Sequence, residues 1–351
     1  MPIPDVLNQL LTAGGPSGYE TAPARVFAEA CAPFAEVRTD VMGSVTARVK
    51  GTGDGPTVAL VGHIDEIGLI VTHIDDKGFL SFTGVGGWDP VILVGQRVEL
   101  TTREGVLAGV VGKKPIHLLK DEERKRAAEI KDLHIDIGAR DGDEAKGLVR
   151  IGDVAVIAGG PVELRNDRVI SRSLDNRLGC YVAHEAARLV AEAGGAVGDV
   201  VAVAAVQEEI TFAGARTVAH ALRPDVAIVI DVTHATDAPG IDEREVGSHP
   251  FGSGPVIERG STLHPAVFEL LHEAAEAEDV PFTVSASARY TGTDADAIHV
   301  SRDGIPTGLI GLPLRYMHSP VEMVQLDDIA NAARLAAAFA RRLTAGQVFE
   351  R

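Results

Sequence analysis

The stretch TVALVGHIDEIG, residues 57–68, is the part of the sequence that best reveals the fold. It begins with an apolar run, which His63, Asp65 and Glu66 follow closely. A short apolar run is typical of a strand that is buried on both faces, as in the sheets of α/β proteins. Because such sheets place ligand-binding groups at the carboxyl ends of their strands, the stretch predicts a strand that delivers polar side chains to a functional edge.

The same short apolar pattern recurs at residues 200–206, 226–230 and 307–310. Between these runs, the apolar residues of segment 178–193 recur at intervals of three and four, which is typical of an α-helix. Segment 326–343 predicts a second helix, with Asp327 and Asp328 in a first turn where the helix dipole favours negative charge. Strands that alternate with helices predict an α/β fold.

Residues 71–162 differ from the sequence on either side because glycines divide them into short pieces. Runs of β-type residues lie at 91–94 and 106–111, so this segment predicts a β-rich module. The alternation of strands and helices begins before the module and resumes after it. We therefore predict an insertion within a larger, discontinuous domain formed by residues 1–70 and 163–351.

The composition indicates a folded chain with an acidic surface. Of the 351 residues, 45% are hydrophobic, and no apolar run approaches the roughly 20 residues that span a bilayer. The formal net charge of −17 disfavours nucleic acid and anionic membranes as partners. The first residues lack the pattern of a signal peptide, so we expect a cytoplasmic protein. Cys31 and Cys180 stand far apart in the sequence, and we expect both to be buried without a disulfide.

Several acidic and imidazole side chains lie next to the predicted strands and helix. They are His63 after the first run, Glu208 and Glu209 after the second, Asp231 and His234 after the third, His318 after the fourth, and Asp175 before the helix. Taken singly, each has an ordinary alternative role, such as a polar turn, a solvated loop carboxylate, a core histidine or a helix N-cap. Their number at successive strand ends makes a shared site the better interpretation.

If these groups converge, their carboxylates would destabilise one another's ionised forms unless divalent cations compensate the charge. Two imidazoles and three or four carboxylates suit Zn²⁺ or Co²⁺ and are sufficient for two ions that share one carboxylate. The sequence therefore favours a two-metal hydrolase.

Motifs spread over almost the whole chain carry a family resemblance. They are GGPSGYE (14–20), GHIDEIG (62–68), SRSLDNR (171–177), QEE (207–209), VIDVTHA (229–235), TGTDADAIHVSRDGIPTGLI (291–310) and LRYMHSPVE (314–322). In these motifs and their order, the sequence resembles the dinuclear metallo-aminopeptidases of family M42, which include the glutamyl, deblocking and tetrahedral (TET) aminopeptidases.

The resemblance implies a role for each candidate residue. The implied metal ligands are Asp175 as the bridge, His63 and Asp231 at one ion, and Glu209 and His318 at the other. Glu208 is implied as the general base and Asp65 as the residue that orients His63. The implied reaction removes N-terminal residues from peptides through attack by a hydroxide that bridges two divalent ions, Zn²⁺ or Co²⁺.

The resemblance also implies an architecture. It is a discontinuous α/β/α catalytic domain with a mixed sheet, plus an inserted, β-barrel-like domain that is often compared to a PDZ domain and serves dimerisation. Members of the family commonly assemble into twelve-subunit tetrahedral shells, so a homododecamer that acts on peptides is expected.

Three other functions stay open at this level. An endoglucanase-type glycoside hydrolase would use two of the carboxylates, although the aromatic content of only 4% offers little material for sugar stacking. An N-acyl deacylase would use the same attack on an amide. A non-catalytic metal-binding shell protein would keep the metals without a base, but Glu208 is present.

Overall fold

The structure is a computed structural model that describes residues 2–350. The strands are β1 (Glu36–Thr39), β2 (Val45–Val49), β3 (Val58–His63), β4 (Gly68–Ile74), β5 (Leu80–Val85), β6 (Arg97–Thr102), β7 (Gly105–Lys113), β8 (Leu133–Asp136), β9 (Val154–Ile157), β10 (Val162–Leu164), β11 (Arg168–Ser171), β12 (Val200–Ala205), β13 (Val226–His234), β14 (Val256–Gly260), β15 (Thr283–Ser287), β16 (Thr307–Leu314) and β17 (Glu322–Gln325).

The α-helices are α1 (Asp5–Thr12), α2 (Thr21–Cys31), α3 (Pro90–Leu93), α4 (Asp121–Arg124), α5 (Gly142–Leu148), α6 (Leu174–Glu192), α7 (Glu208–Thr211), α8 (Ala213–Leu222), α9 (Glu243–Val246), α10 (Pro265–Ala277), α11 (Ala295–Ile298) and α12 (Leu326–Arg342). Each of the four apolar runs forms a strand, as predicted, and the two helical patterns correspond to α6 and α12. None of the helices in the described residues is long and apolar enough to cross a membrane.

An eight-stranded mixed sheet forms the centre of the fold, in the order β1-β2-β12-β3-β13-β16-β14-β15. Strands β12, β3, β13 and β16 run parallel to one another, so their carboxyl ends meet at one edge. Helices α1, α2, α6, α10 and α12 contribute apolar side chains to the core on one face, and α8 and α11 cover the other. The predicted α/β/α class with a mixed sheet is confirmed.

Alternation along β3 shows how both faces become buried. Leu60 packs into the core on the side of α6, and its neighbour Val61 packs into the core on the side of α8. Burial of such a side chain contributes roughly 1.5–3 kcal/mol. Both cysteines, Cys31 and Cys180, are buried and free, as predicted.

A closed six-stranded barrel, in the order β4-β5-β8-β7-β6-β9, interrupts the larger fold and has its own apolar core. The β-type run at 106–111 lies in β7, but the predicted strand at 91–94 is wrong. That segment lies mostly in helix α3, because the Asp89 side chain accepts a hydrogen bond from the Val91 N–H and Pro90 occupies the first turn. The proposed domain boundaries at residues 71 and 162 stay a prediction.

A small sheet, β10-β11-β17, joins two distant parts of the chain at the functional edge. Its register pairs Ser171 with Glu322, so the segment that leads to α6 lies beside the segment that follows β16. This pairing places Asp175 close to His318, which the central sheet alone would not do.

Candidate metal centre

The candidate side chains lie along the edge at which the parallel strands end. Strand β3 ends at His63, β12 ends shortly before Glu208, and β16 ends shortly before His318. The expectation that Asp231 follows its strand is wrong, because β13 pairs with β16 as far as His234. Asp231 therefore projects from within the strand, near its carboxyl end.

Helix α6 brings Asp175 to the end of β3 because two glycines allow close packing. A side chain on Gly62 would lie 2.3 Å from the backbone of Gly179, and one on Gly179 would lie 2.3 Å from the carbonyl oxygen of Ile230. Asn176, not Asp175, takes a capping role, since its side-chain oxygen accepts a hydrogen bond from the Gly179 N–H at 2.9 Å. The carboxylate of Asp175 therefore remains available to the cavity.

The two oxygens of Asp175 face two different histidines. Oδ1 lies 3.2 Å from Nε2 of His63, and Oδ2 lies 3.4 Å from Nε2 of His318. Nε2 of His318 is also 3.5 Å from Oε1 of Glu209. Hydrogen bonding to these two carboxylates raises the pKa of His318 to about 11. A divalent cation between such groups would take the place of the proton.

Two groups of side chains have the spacing of metal ligands. In each group, the candidate ligand atoms lie within 4.8 Å of one another; the groups are His63 with Asp175 and Glu209, and His63 with Glu208 and Asp231. All of these residues, together with His318, line one cavity of about 490 Å³. The structure thus brings the predicted candidates together, whereas His234 lies on the cavity wall as an exposed side chain.

The carboxylates of the cluster are electrostatically crowded. Burial raises the pKa of Glu208 to about 10, and the nearby charge of Asp231 adds to the rise. Burial also raises the pKa values of Asp231 and Glu209. For Asp175, burial acts in the same direction, but the two adjacent imidazoles hold its pKa well below its usual range. Divalent cations would relieve this crowding.

Asp65 lies behind His63 and is fully buried. Its Oδ1 is 3.4 Å from Nδ1 of His63 and accepts the N–H of Glu208 at 3.1 Å, while its Oδ2 accepts the Ser17 hydroxyl at 2.6 Å and the N–H of Glu209 at 3.2 Å. Burial would raise the pKa of Asp65, but its contacts with His63 and Ser17 lower it overall. This carboxylate therefore holds the backbone of the paired glutamates and lies beside the imidazole of His63.

Glu322 is a site residue that the sequence analysis missed. Its carboxylate accepts the backbone N–H of Asp175 at 3.1 Å and that of His318 at 2.9 Å, and it is almost fully buried. The available signal was its position as the last residue of the LRYMHSPVE motif.

A buried ion network below the cluster also escaped the sequence analysis. Arg177, which is 0% exposed, donates to Glu66 at 2.7 Å, and Arg172 pairs with the other oxygen of the same carboxylate. The N–H of Gly15 donates to Glu66 at 3.0 Å. The motifs GGPSGYE, GHIDEIG and SRSLDNR are thus tied together by one carboxylate.

Asp294 is a third residue without a predicted role. Its side chain is 1% exposed, and neither carboxylate oxygen has a hydrogen-bond partner among the described residues. Burial raises the pKa of Asp294 to about 7, and the nearby charge of Asp65 adds to the rise. Its neighbour Thr293 lines the cavity.

The donor set fits two divalent cations that accept nitrogen and oxygen ligands. Two imidazole nitrogens and four carboxylates converge on one cavity, and one carboxylate has an oxygen directed to each imidazole. Such mixed N/O sets are typical of Zn²⁺ and similar ions.

An α/β/α sheet with this cluster at its carboxyl edge, together with an inserted barrel, is an arrangement that suits a hydrolase. The profile of the M42 glutamyl aminopeptidases matches residues 43–335, and the chain belongs to this family.

Individual relatives agree with this membership. The lysyl aminopeptidase of Pyrococcus furiosus is 34% identical, with 97% of each chain covered. The TET aminopeptidase of a Thaumarchaeota archaeon from marine sediment superposes with a TM-score of 0.91 at 36% identity, over 96% of this chain and 95% of that one. The TET1 peptidase of Pyrococcus horikoshii, which can assemble into a tetrahedron or a large octahedral shell, gives a TM-score of 0.85 at 31% identity, over 97% and 99% of the two chains.

Proposed function

We propose that the protein is a metal-dependent aminopeptidase that removes N-terminal residues from peptides with two divalent cations, Zn²⁺ or Co²⁺. The observation that carries the proposal is the placement of the Asp175 carboxylate, with one oxygen directed toward His63 and the other toward His318. A carboxylate in this position is suited to bridge two ions.

The proposed ligands are those that the family resemblance implies, and all of them line the same cavity. One ion would be held by Asp175, His63 and Asp231, and the other by Asp175, Glu209 and His318. When bound, the two ions supply Lewis-acid chemistry, since they polarise a peptide carbonyl and lower the pKa of water.

Glu208 is the proposed general base. Each ion would have three protein ligands without Glu208, so its carboxylate would be free to accept a proton from the attacking water and pass it to the leaving amine. Asp65 supports this role because it accepts the backbone N–H of Glu208 at 3.1 Å and so fixes the start of α7.

The other candidate functions have less support. A glycosidase does not need imidazoles beside its two carboxylates, whereas His63 and His318 both face Asp175 in this cavity. A deacylase would use the same cluster, but family membership favours peptides. A purely structural shell would not need a buried carboxylate such as Glu208 beside the ligands.

Self-association through the inserted barrel, leading to a homododecamer, is also proposed. Strand β7 exposes Val106 and Val110, and the following 3-10 turn exposes Ile116 and Leu118. Apolar side chains grouped on one module favour a protein contact surface. Val106→Asp combined with Val110→Asp should lower the assembly mass measured by light scattering. An unchanged mass would show that this surface of the barrel does not form the subunit interface.

One experiment tests the enzymatic proposal. The pure protein is analysed for bound metal and assayed with aminoacyl anilides, N-acyl amino acids and a cellulose-derived substrate, before and after chelation. We expect about two divalent ions per chain. Of the three substrate types, only the anilides should be hydrolysed. Chelation should abolish this hydrolysis, and added Zn²⁺ or Co²⁺ should restore it. Activity that survives metal removal, or activity only on the sugar substrate, would reject the proposal.

A further inference from the structure

The cavity extends beyond the metal cluster along the outer strands of the sheet. Its lining there includes Glu258 of β14 and Ser285 of β15, which are paired in the sheet. None of the residues that line it is Lys or Arg. Glu258 belongs to none of the ion pairs formed by residues 2–350. Burial raises the pKa of Glu258, whereas the nearby Ser287 hydroxyl lowers it.

The sheet register places Glu258 on the same face as Asp231. Glu258 pairs with Leu309, and Leu309 pairs with Val229, which points to the same face as Asp231 because strand residues alternate. Glu258 therefore lies two strands away from Asp231, a distance of roughly 10 Å across the sheet. It is also displaced by two residues along the strand direction, which is roughly 7 Å.

The neighbouring cation does not neutralise this carboxylate. Arg259 points to the opposite face of the sheet, where its guanidinium carbon lies 5.3 Å from the centre of the Phe268 ring. At the metal centre, two divalent cations would balance the carboxylates of Asp175, Glu208, Glu209 and Asp231. Glu258 would then be the unmatched negative charge of the cavity.

We propose that the cavity selects peptides whose N-terminal residue is lysine or arginine, with the side-chain cation paired to Glu258. This inference rests on the proposed aminopeptidase function and specifies its substrate class. The aliphatic stem of a basic side chain would pass Val246 and Met317, which also line the cavity, and such stems pack well on apolar surface.

Glu258 is placed to bind the substrate side chain rather than its α-amino group. The α-amino group is separated from the scissile carbonyl by one carbon, so it must lie beside the cluster where the carbonyl reacts. The separation between Glu258 and Asp231 leaves room for a four-carbon stem to extend from that point. A carboxylate that bound the α-amino group would instead contribute equally to the binding of every peptide, whatever its N-terminal side chain.

The test compares lysyl, arginyl, leucyl and glutamyl anilides on the metal-loaded protein and its variants. We expect the wild type to prefer lysyl and arginyl substrates. Glu258→Gln should lower kcat/KM for these two by about 10- to 100-fold, mainly through KM, and change the leucyl value by less than about threefold. Glu258→Arg should shift preference toward the glutamyl substrate. The matched control is Glu273→Gln on the exposed surface of α10.

A binding readout complements the assay: lysinol, which has no amide bond to cleave, should raise the Tm of the wild type more than leucinol does, and this difference should disappear in Glu258→Gln. A wild type that prefers leucyl or glutamyl anilides, or a variant that loses all substrates equally, would overturn the inference and leave the aminopeptidase function intact. A wild type that cleaves no anilide would reject the proposed function itself.

Discussion

Oδ1 of Asp65 lies 3.4 Å from Nδ1 of His63, the ring nitrogen opposite the one that faces Asp175. The same carboxylate accepts the backbone N–H groups of Glu208 and Glu209. The backbone of the paired glutamates is therefore held by one buried side chain, and we propose that the same side chain orients the imidazole.

Asp65→Asn should weaken metal binding without preventing folding. The amide keeps the size of the side chain but loses the negative charge behind His63, so metal affinity should fall by about 10- to 100-fold. Metal retained after dialysis against a graded series of chelator concentrations measures the change. Asp54→Asn, on an exposed loop, is the matched control, and equal retention in both variants would contradict an orienting role for Asp65.

Glu208→Gln should separate catalysis from metal binding. The amide cannot accept a proton, whereas the proposed ligands remain, so turnover should fall by about 10²- to 10⁴-fold at unchanged metal content and assembly mass. Steady-state kinetics and metal analysis are made on the same preparation. Loss of one ion along with activity would instead assign Glu208 as a ligand, in agreement with its spacing from His63 and Asp231.

Glu322 should stabilise the site by accepting hydrogen bonds from the backbone N–H groups of two proposed metal ligands. Glu322→Ala would leave the buried N–H groups of Asp175 and His318 without an acceptor, at about 1–3 kcal/mol each. The two N–H groups donate to different oxygens of the carboxylate, so Glu322→Gln keeps an acceptor for only one of them and should lose less stability than Glu322→Ala but more than the wild type. Thermal unfolding and metal retention of the two variants test this order, and equal losses would indicate that the hydrogen bonds are not the cause.

The parts of the fold that were predictable from the sequence have local signals. The apolar run before His63 is continuous, and so its strand was predicted correctly. The error at 91–94 arose because the capping carboxylate of Asp89 outweighed the β-type residues that follow it. Apart from its place in the LRYMHSPVE motif, nothing in the sequence near Glu322 indicated its role, because its contact with Asp175 joins residues 147 positions apart. Such contacts depend on the pairing of β11 with β17.

Removal of one member of the buried network around Glu66 should strongly destabilise the protein. Arg177→Met removes a fully buried cation that donates to Glu66 and to the carbonyl oxygens of Leu10, Ala13 and Ile64. We expect the free energy of unfolding to fall by about 3–5 kcal/mol, because removal of one partner leaves buried polar groups uncompensated. Denaturant titration measures the loss.

A double variant provides the control for that measurement. Glu66→Gln with Arg177→Met should lose less stability than the sum of the two single variants, because the two residues share one interaction. Strict additivity would mean that the ion pair itself contributes no coupling energy.

Glu20 should make the stability of the protein depend on pH. Burial raises its pKa to about 7, although the N–H groups of Gly18 and Gln207 donate to the carboxylate at 2.6 Å and 3.1 Å. Because the folded-state pKa lies above the ordinary value of 4.5, the stabilisation is complete below about pH 4.5 and is lost as pH rises through about 7.

Glu20→Gln removes this titration while keeping an acceptor oxygen. Relative to the variant, the wild type should lose on the order of 1–3 kcal/mol of unfolding free energy between pH 5 and pH 8. Denaturant titrations of both proteins at several pH values give the difference, in which contributions from other groups cancel. The exposed Glu29→Gln should follow the wild type at every pH. A constant difference between wild type and Glu20→Gln would show that Glu20 stays ionised in the folded protein throughout this range.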